Sequence, residues 1–273
     1  MKAIYSFKIL KTDHYKPIDD NFFKLAKLSV ELAKRHYTTE FYGDSESYKL
    51  FEQRGIEFDS VKLLDSIQNY NGDITSYAKL MAMMEQTEPY ICLDFDTLLF
   101  QKIPETHTIV FGYPEIGSLK LHNILTYDDS DKFIQYVDLY YKRHLVKYKD
   151  KFPTYLNPST NEIPNYSLFL CQHPNLIKEI LTDIFERFEK SELEEMGAMF
   201  IEQFLIYLYL TEFEIDIKFL YDSNIINDIE ILPIIKNKFY HYIRYHEDNE
   251  FEDKIRVISN SYNISLKLKE KLL

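Results

Sequence analysis

Through its first hundred residues the chain alternates short apolar runs with longer amphipathic stretches, and few folds accommodate that rhythm. Residues 3–7 (AIYSF) read as a strand. Asp19 and Asp20 then supply a cap, and Phe22, Phe23, Leu25, Ala26, Leu28, Val30, Leu32 and Ala33 recur at near-helical spacing. Residues 38–44 (TTEFYGD) predict a second strand ending at Gly43, residues 45–53 a short helix stopped by Gly55, and residues 58–65 (FDSVKLLD) a third strand. Asp73 caps a predicted helix that runs to about Gln86, with Ile74, Tyr77, Ala78, Leu80, Met81 and Met84 on its apolar side and Pro89 beyond its end. The run that follows, YICLDFD from Tyr90, lacks the alternation of a half-exposed strand and suits a central strand covered on both faces. Such alternation of strand and helix implies an α/β fold with a mostly parallel sheet, flanking helices and right-handed crossovers.

In open sheets of this kind ligands bind beyond the carboxyl ends of the strands. Tyr5, Ser6, Phe7, Asp44, Asp94 and Asp96 fall at those ends. Asp94 and Asp96 pose a solvation problem, because carboxylates are almost never buried without a partner. An Asp-x-Asp pair at a strand end can meet a hard divalent cation, Mg²⁺ or Mn²⁺, which prefers carboxylate oxygens. In an extended chain the two side chains share a face. The ordinary alternative is a pair of acids that starts a turn.

Bulk properties narrow the partners. Forty-four acidic against 32 basic residues give a formal net charge of −12, which argues against a nucleic-acid partner. So acidic a protein needs a metal or local basic groups to hold a negatively charged substrate. Cys92 and Cys171 both lie in apolar runs and read as buried thiols, as expected in a reducing, cytoplasmic compartment. No apolar run approaches the roughly 20 residues of a membrane span. The basic amphipathic tail SLKLKEKLL permits at most weak peripheral contact with an anionic membrane.

The second half is less regular. Residues 107–115, 165–171 and 214–220 predict strands, and residues 128–147, 176–189 and 194–210 helices. The Pro/Asn/Thr-rich stretch 152–165 predicts a lid or binding loop. Residues 237–248 (NKFYHYIRYHED) predict a strand and turn carrying His241 and His246. No sharp composition break divides the chain, so a single domain over 1–273 is expected, with a nucleotide-binding half (1–100) and an acceptor-side half (101–273).

ICLDFDTLLF resembles the DxD segment of the nucleotide-sugar-dependent glycosyltransferases of the GT-A fold, and SYAKLMAMMEQTEPY resembles the helix leading into it. On that resemblance Lys79 reaches the nucleotide or sugar. PNYSLFLC is similar to an "Asn-small-Gly-apolar" strand of the retaining enzymes of family 8, with Asn165 at the asparagine, although Tyr166 and Ser167 replace the small residue and glycine. MFIEQFLIYLYL resembles the helix that carries an acidic-Gln pair near the anomeric carbon and the acceptor, which points to Glu202 and Gln203. HYIRYHED lies where those enzymes place a metal-binding histidine, with His241 first choice and His246 second. Their following Gly and Lys are replaced by Arg244 and Glu247, and Arg244 would supply the phosphate-binding charge.

The resemblance implies a hexosyltransferase. A Mn²⁺ or Mg²⁺ ion on Asp94, Asp96 and His241 would hold a nucleotide-diphosphate sugar, UDP-linked by family default, and a glycan or lipid-linked acceptor would receive the sugar, with retention as in family 8. Polysaccharide biosynthesis is the expected setting. Each residue also has an ordinary role beside this one: a solvated lysine at 79, a strand start at Asn165, a helix start at Glu202, a structural histidine at 241. Two other functions share the motif. LDFDTLLF is similar to the first motif of haloacid-dehalogenase-type phosphatases, but lacks their usual residues after the second Asp and lies some 90 residues into the chain. The departures at Ser167, Arg244 and Glu247 fit a non-catalytic nucleotide- or glycan-binding protein on a transferase scaffold.

Overall fold

The computed structural model describes residues 1–10, 18–74, 76–113, 143–156, 164–220, 239–241 and 250–268. Four strands, β1 (Lys2–Phe7), β2 (Thr38–Gly43), β3 (Ser60–Leu63) and β4 (Tyr90–Leu93), pair in parallel, with β1 between β2 and β4. β5 (Thr97–Leu99) leaves the sheet directly after them. β6 (Ile109–Phe111), β7 (Leu168–Cys171) and β8 (Ile217–Phe219) complete a seven-stranded sheet in the order β3-β2-β1-β4-β7-β6-β8. β7 pairs antiparallel with both β4 and β6, whereas β8 runs parallel to β6. The mostly parallel α/β architecture expected from the alternating pattern is therefore present, with β7 as the reversed strand among those described.

The helices follow the apolar spacing. α1 (Asp20–Ala33) begins where Asp19 accepts a hydrogen bond from the Phe22 N–H at 2.9 Å. α2 (Ser45–Gln53) is capped by Asp44, whose Oδ1 accepts from the Ser47 N–H at 2.7 Å. It ends at Gly55, which sits at φ 72°. There the Ile56 N–H bonds back to the Phe51 carbonyl and the Gly55 N–H to that of Glu52, a left-handed closure that glycine adopts without steric cost. A short α3 (Asp65–Gln68) takes over the end of the predicted third strand, and α4 (Tyr77–Met84) precedes β4. α4 starts later than the Asp73 cap predicts; ahead of it the Ile74 N–H donates to the Tyr70 hydroxyl at 3.0 Å. α5 (Pro174–Arg187) opens on a proline, which the first helical turn tolerates.

The predicted helix over 194–210 is three pieces: α6 (Lys190–Ala198), a π-helical stretch (Met199–Leu205) and α7 (Ile206–Glu212). Gly197, at φ 71° and ψ 171°, breaks the first from the second. Two further elements follow among the described residues. β9 (Phe239–His241) pairs antiparallel with β5, and α8 (Phe251–Ser261) packs near α1. Ile264, Leu266 and Leu268 of the tail then alternate against the α1 side of the core, so the basic segment, as far as residue 268, is extended and its apolar face is already covered. Most of the predicted helix 128–147, the middle of the predicted loop 152–165, and the segment holding Arg244, His246 and Glu247 lie outside the described residues.

Apolar clusters cover both faces of the sheet. Ile4, Cys92, Phe169 and Phe111 face α4, α5 and α7. Ala3, Tyr5, Phe41, Ile91 and Leu93 face α1 and α8. All four residues of β4 are buried, which is why that run shows no polar alternation. No helix among the described residues is long and apolar enough to cross a membrane.

Candidate functional site

β4 ends at Leu93, and the Asp-x-Asp pair sits just beyond it. The chain does not stay extended there but makes the turn of the ordinary alternative: the Thr97 N–H donates to the Asp94 carbonyl at 3.0 Å, and the chain continues as β5. The turn gives the two aspartates different surroundings. The Asp94 side chain is 40% exposed. Asp96 is buried. Phe95 between them points into an aromatic nest, stacked on Phe51 at 4.6 Å and tilted against Tyr5 at 5.1 Å. That anchor fixes the turn from below.

β7 braces the turn from the side. The Ser167 carbonyl accepts the Asp94 N–H at 2.9 Å and the Thr97 hydroxyl at 3.1 Å. Asn165 holds Ser167 in place, since its Oδ1 accepts the Ser167 N–H at 2.9 Å. On the other flank the Ser29 hydroxyl donates to the Thr97 carbonyl at 2.5 Å and meets the Tyr5 hydroxyl at 3.1 Å. Ser29 is a fully buried polar residue on the apolar face of α1, the one sequence signal by which this brace was recognisable.

The centre of the arrangement is Lys79. Its side chain runs from α4 beneath the turn, and its Nζ lies 2.7 Å from Asp94 Oδ1, 2.6 Å from Glu202 Oε1 and 2.6 Å from the Tyr166 carbonyl. An ammonium has three donors, and here each has an acceptor. Burial alone would lower the lysine's pKa, but the charges of Asp94 and Glu202 outweigh it and hold the ammonium above its ordinary value. Glu202, buried on the π-helical stretch, has its pKa raised by burial, with Lys79 opposing and the Asp94 charge adding to the rise. Next to it, Gln203 Oε1 is buried and has no hydrogen-bond partner among the described residues.

Four segments far apart in the chain thus meet at one point: α4 by Lys79, the β4–β5 turn by Asp94, the approach to β7 by Tyr166, and the π-helical stretch by Glu202. β9 adds a fifth at the level of backbone, because His241 is in register with Thr97, the residue after Asp96. The donor chemistry at the turn, two carboxylates one residue apart, fits a hard divalent cation. Around the Lys79 ammonium two carboxylates, Asp94 and Glu202, share one positive charge. Among the described residues no group of three His, Cys, Asp or Glu side chains could hold a metal ion.

The remaining expected residues are placed as follows. Tyr5 is fully buried, with its hydroxyl on Ser29, so at the end of β1 it presents no open side-chain face. Ser6 and Phe7 are half-buried, and Phe7 packs edge-on to Phe51 and Phe95. Asp44 caps α2 and pairs with Lys8 at 2.8 Å. Burial opposes its ionisation, but Lys8 and Ser47 hold the carboxyl below the usual range. Asn165 is buried on the approach to β7, which begins at Leu168 and not at Asn165 as the predicted strand did. The Tyr166 carbonyl and the Ser167 brace have no side-chain signature in the sequence, because both act through backbone atoms.

No protein-family model matches the chain, and no curated protein matches it by sequence. Solved structures with a similar course of the backbone include the WbbM bifunctional glycosyltransferase, at 12% identity and a TM-score of 0.48 over 95% of this chain; the chain spans about half of WbbM, 49% of its length. The galactosyltransferase LgtC, in complex with donor and acceptor sugar analogs, gives 12% identity and 0.46 over 97% of this chain and 96% of LgtC. The inositol-1-phosphate CTP transferase from T. maritima gives 9% identity and 0.45 over 97% of each chain. With identities this low and scores below 0.5, these likenesses say nothing about the chemistry of this chain.

Proposed function

We propose that the protein is a metal-dependent glycosyltransferase of the GT-A kind, moving a sugar from a nucleotide-diphosphate donor to a hydroxyl of a glycan or lipid-linked acceptor. The observation that carries this reading is the convergence on Lys79. Lys79, Asp94 and Glu202, singled out separately in the sequence as parts of one donor site, are bonded through one ammonium at the carboxyl end of β4. A purely structural ion pair does not require an Asp-x-Asp turn at the crevice of a mostly parallel sheet.

In this reading Asp94, Asp96 and His241 hold Mn²⁺ or Mg²⁺, with His246 as the other candidate, and residues 1–100 form the nucleotide-binding half of one transferase domain. When bound, the ion supplies Lewis-acid stabilisation of the leaving diphosphate. Lys79 fixes the orientation of Asp94 and balances the buried charge of Glu202. Glu202 is committed to Lys79, so direct contact with the acceptor hydroxyl or the anomeric carbon falls to its neighbour Gln203, whose Oε1 is without a partner among the described residues. Arg244 and the backbone at Tyr5 to Phe7 contribute to holding the nucleotide. UDP as the nucleotide and retention at the anomeric carbon are the finer parts of the proposal.

The test is a panel of nucleotide sugars with Mn²⁺, scored for thermal stabilisation and for sugar release, with Asp96→Ala in parallel. At least one donor is expected to raise the wild-type melting temperature and to have no effect on the variant. Equal responses of the two proteins, or none, would end the reading. An inverted linkage in the product's NMR spectrum would remove retention alone. Stabilisation by a donor with no release or transfer would favour the binding-protein alternative, to which the full engagement of Glu202 by Lys79 lends support.

A further inference from the structure

A pocket of about 300 Å³ opens on the outer side of α4, away from Lys79. Its walls come from the loop after α3, the first turn of α4, the end of α5 and the start of α6. Tyr70 and Tyr77 stack face to face at 3.6 Å and 7°, and Phe185 meets Tyr77 edge-on at 6.5 Å. The polar groups on its rim are the exposed side chains of Ser66, Asn69 and Asn71 and the Lys190 ammonium.

The pocket is built rather than incidental. Tyr70 is fixed because its hydroxyl accepts the Ile74 N–H. Gly72 lets the loop close over it, since a Cβ there would fall on the Tyr70 hydroxyl and the Glu194 carboxylate. A preformed concave site with aromatic walls and a few placed polar groups is what small-ligand binding requires.

Its chemistry favours a neutral ligand. The charge of Lys190 is partly balanced: it donates to Asn71 Oδ1 at 2.6 Å, lies over the Tyr70 ring at 5.2 Å and sits 3.7 Å from Glu194. The Glu194 carboxylate beside it would repel an anion. Aromatic edges and faces suit the C–H surface of a pyranose, and two amides with a hydroxyl suit its O–H groups.

Position completes the case. The loop follows the carboxyl end of β3, and α4's first turns also deliver Lys79 to the Asp-x-Asp turn. α5 begins after β7, which runs opposite to the parallel strands, and therefore returns to the same rim at Phe185 and Phe188. Tyr77 and Lys79 are two residues apart on α4, so the pocket and the turn lie on opposite sides of one helix, roughly 10 Å across.

We propose that this pocket binds a neutral sugar residue of an extended acceptor glycan, one removed from the residue that receives the transferred sugar. The proposal rests on the transferase reading for the word acceptor, but the binding itself does not. Isothermal titration with cellotriose, maltotriose and mannotriose, without nucleotide or metal, tests it. At least one should bind the wild type, with affinity reduced about tenfold or more in Asn69→Ala and in Tyr77→Leu and changed less than about twofold in Asp96→Ala. Asn69 is exposed, so its variant folds whatever Tyr77 contributes to packing. No binding by any trisaccharide, unchanged binding in both pocket variants, or binding of uridine in their place would overturn it. Trisaccharide binding in a protein that no nucleotide sugar stabilises would leave the pocket standing and remove the transferase reading; the converse result would remove only the pocket.

Discussion

Replacing Lys79 with methionine tests the centre of the structure. The substitution keeps most of the side-chain volume and removes the ammonium. Three acceptors lose their donor at once: Asp94 Oδ1, Glu202 Oε1 and the Tyr166 carbonyl. Asp94, with 40% of its side chain exposed, rehydrates, and its share of the loss is small. Glu202, with 11% exposed, does not. Leaving a buried charge without its partner costs about 3–5 kcal/mol. For a chain of this size that corresponds to a melting temperature lower by roughly 6–10 °C, at about 2 °C per kcal/mol.

Two further measurements separate this from a simple packing defect. In Lys79→Met/Glu202→Gln the orphaned charge is gone, and about 2 kcal/mol of the loss should return, a coupling visible in a double-mutant cycle by urea unfolding. The second is pH. Without the lysine, burial and the Asp94 charge both still raise the Glu202 pKa in the folded state. A carboxyl whose folded pKa exceeds its unfolded one contributes stability that is complete below the unfolded value and lost as pH rises through the folded one. The single variant should therefore fall further below wild type at pH 8 than at pH 5. A loss under about 1 kcal/mol, independent of pH and additive with Glu202→Gln, would refute the view that Lys79 neutralises a buried acid.

Other outcomes follow from neighbouring features. Phe95→Ala empties the aromatic nest under the turn and should cost about 3–5 kcal/mol in urea titrations; donor-dependent stabilisation by Mn²⁺ should weaken with it, because the turn loses its anchor. Asp44→Ala removes the cap of α2 and the partner of Lys8, for about 1–2 kcal/mol at pH 7. Since the folded pKa of Asp44 is depressed, its contribution is present above the unfolded value of about 3.9 and lost as pH falls through the lower folded one, so the difference between wild type and variant should shrink in melts taken below about pH 4.

The alternation of the first hundred residues was enough to read the four parallel strands, because each apolar run and each capping aspartate acts locally. Reversal of β7 was not readable. Leu168–Cys171 has the same apolar run whichever way it points, and direction depends on where the chain has been led by residues 101–167. Glu202 and Lys79 were each identifiable as candidate site residues, but their bond spans two elements and has no trace in either segment. The Asp-x-Asp pair sits in a turn with Phe95 buried against Phe51 and Tyr5, a packing between distant segments that no local pattern specifies. The break at Gly197 was visible only as a glycine, and the π-helical geometry beyond it was not visible at all.

The pairing of Thr97 with His241 also sets an order of events. During synthesis β1 to β4 can form their parallel contacts once Leu93 has emerged from the ribosome. The π-helical stretch that delivers Glu202 to Lys79 is made well after β4, and the strand that clasps β5 later still. A nascent chain cut short before residue 239 would carry a folded Asp-x-Asp turn but no clasp. The Asp-x-Asp turn is thus made before the segments that converge on it, and its surroundings are filled in by residues far along the chain.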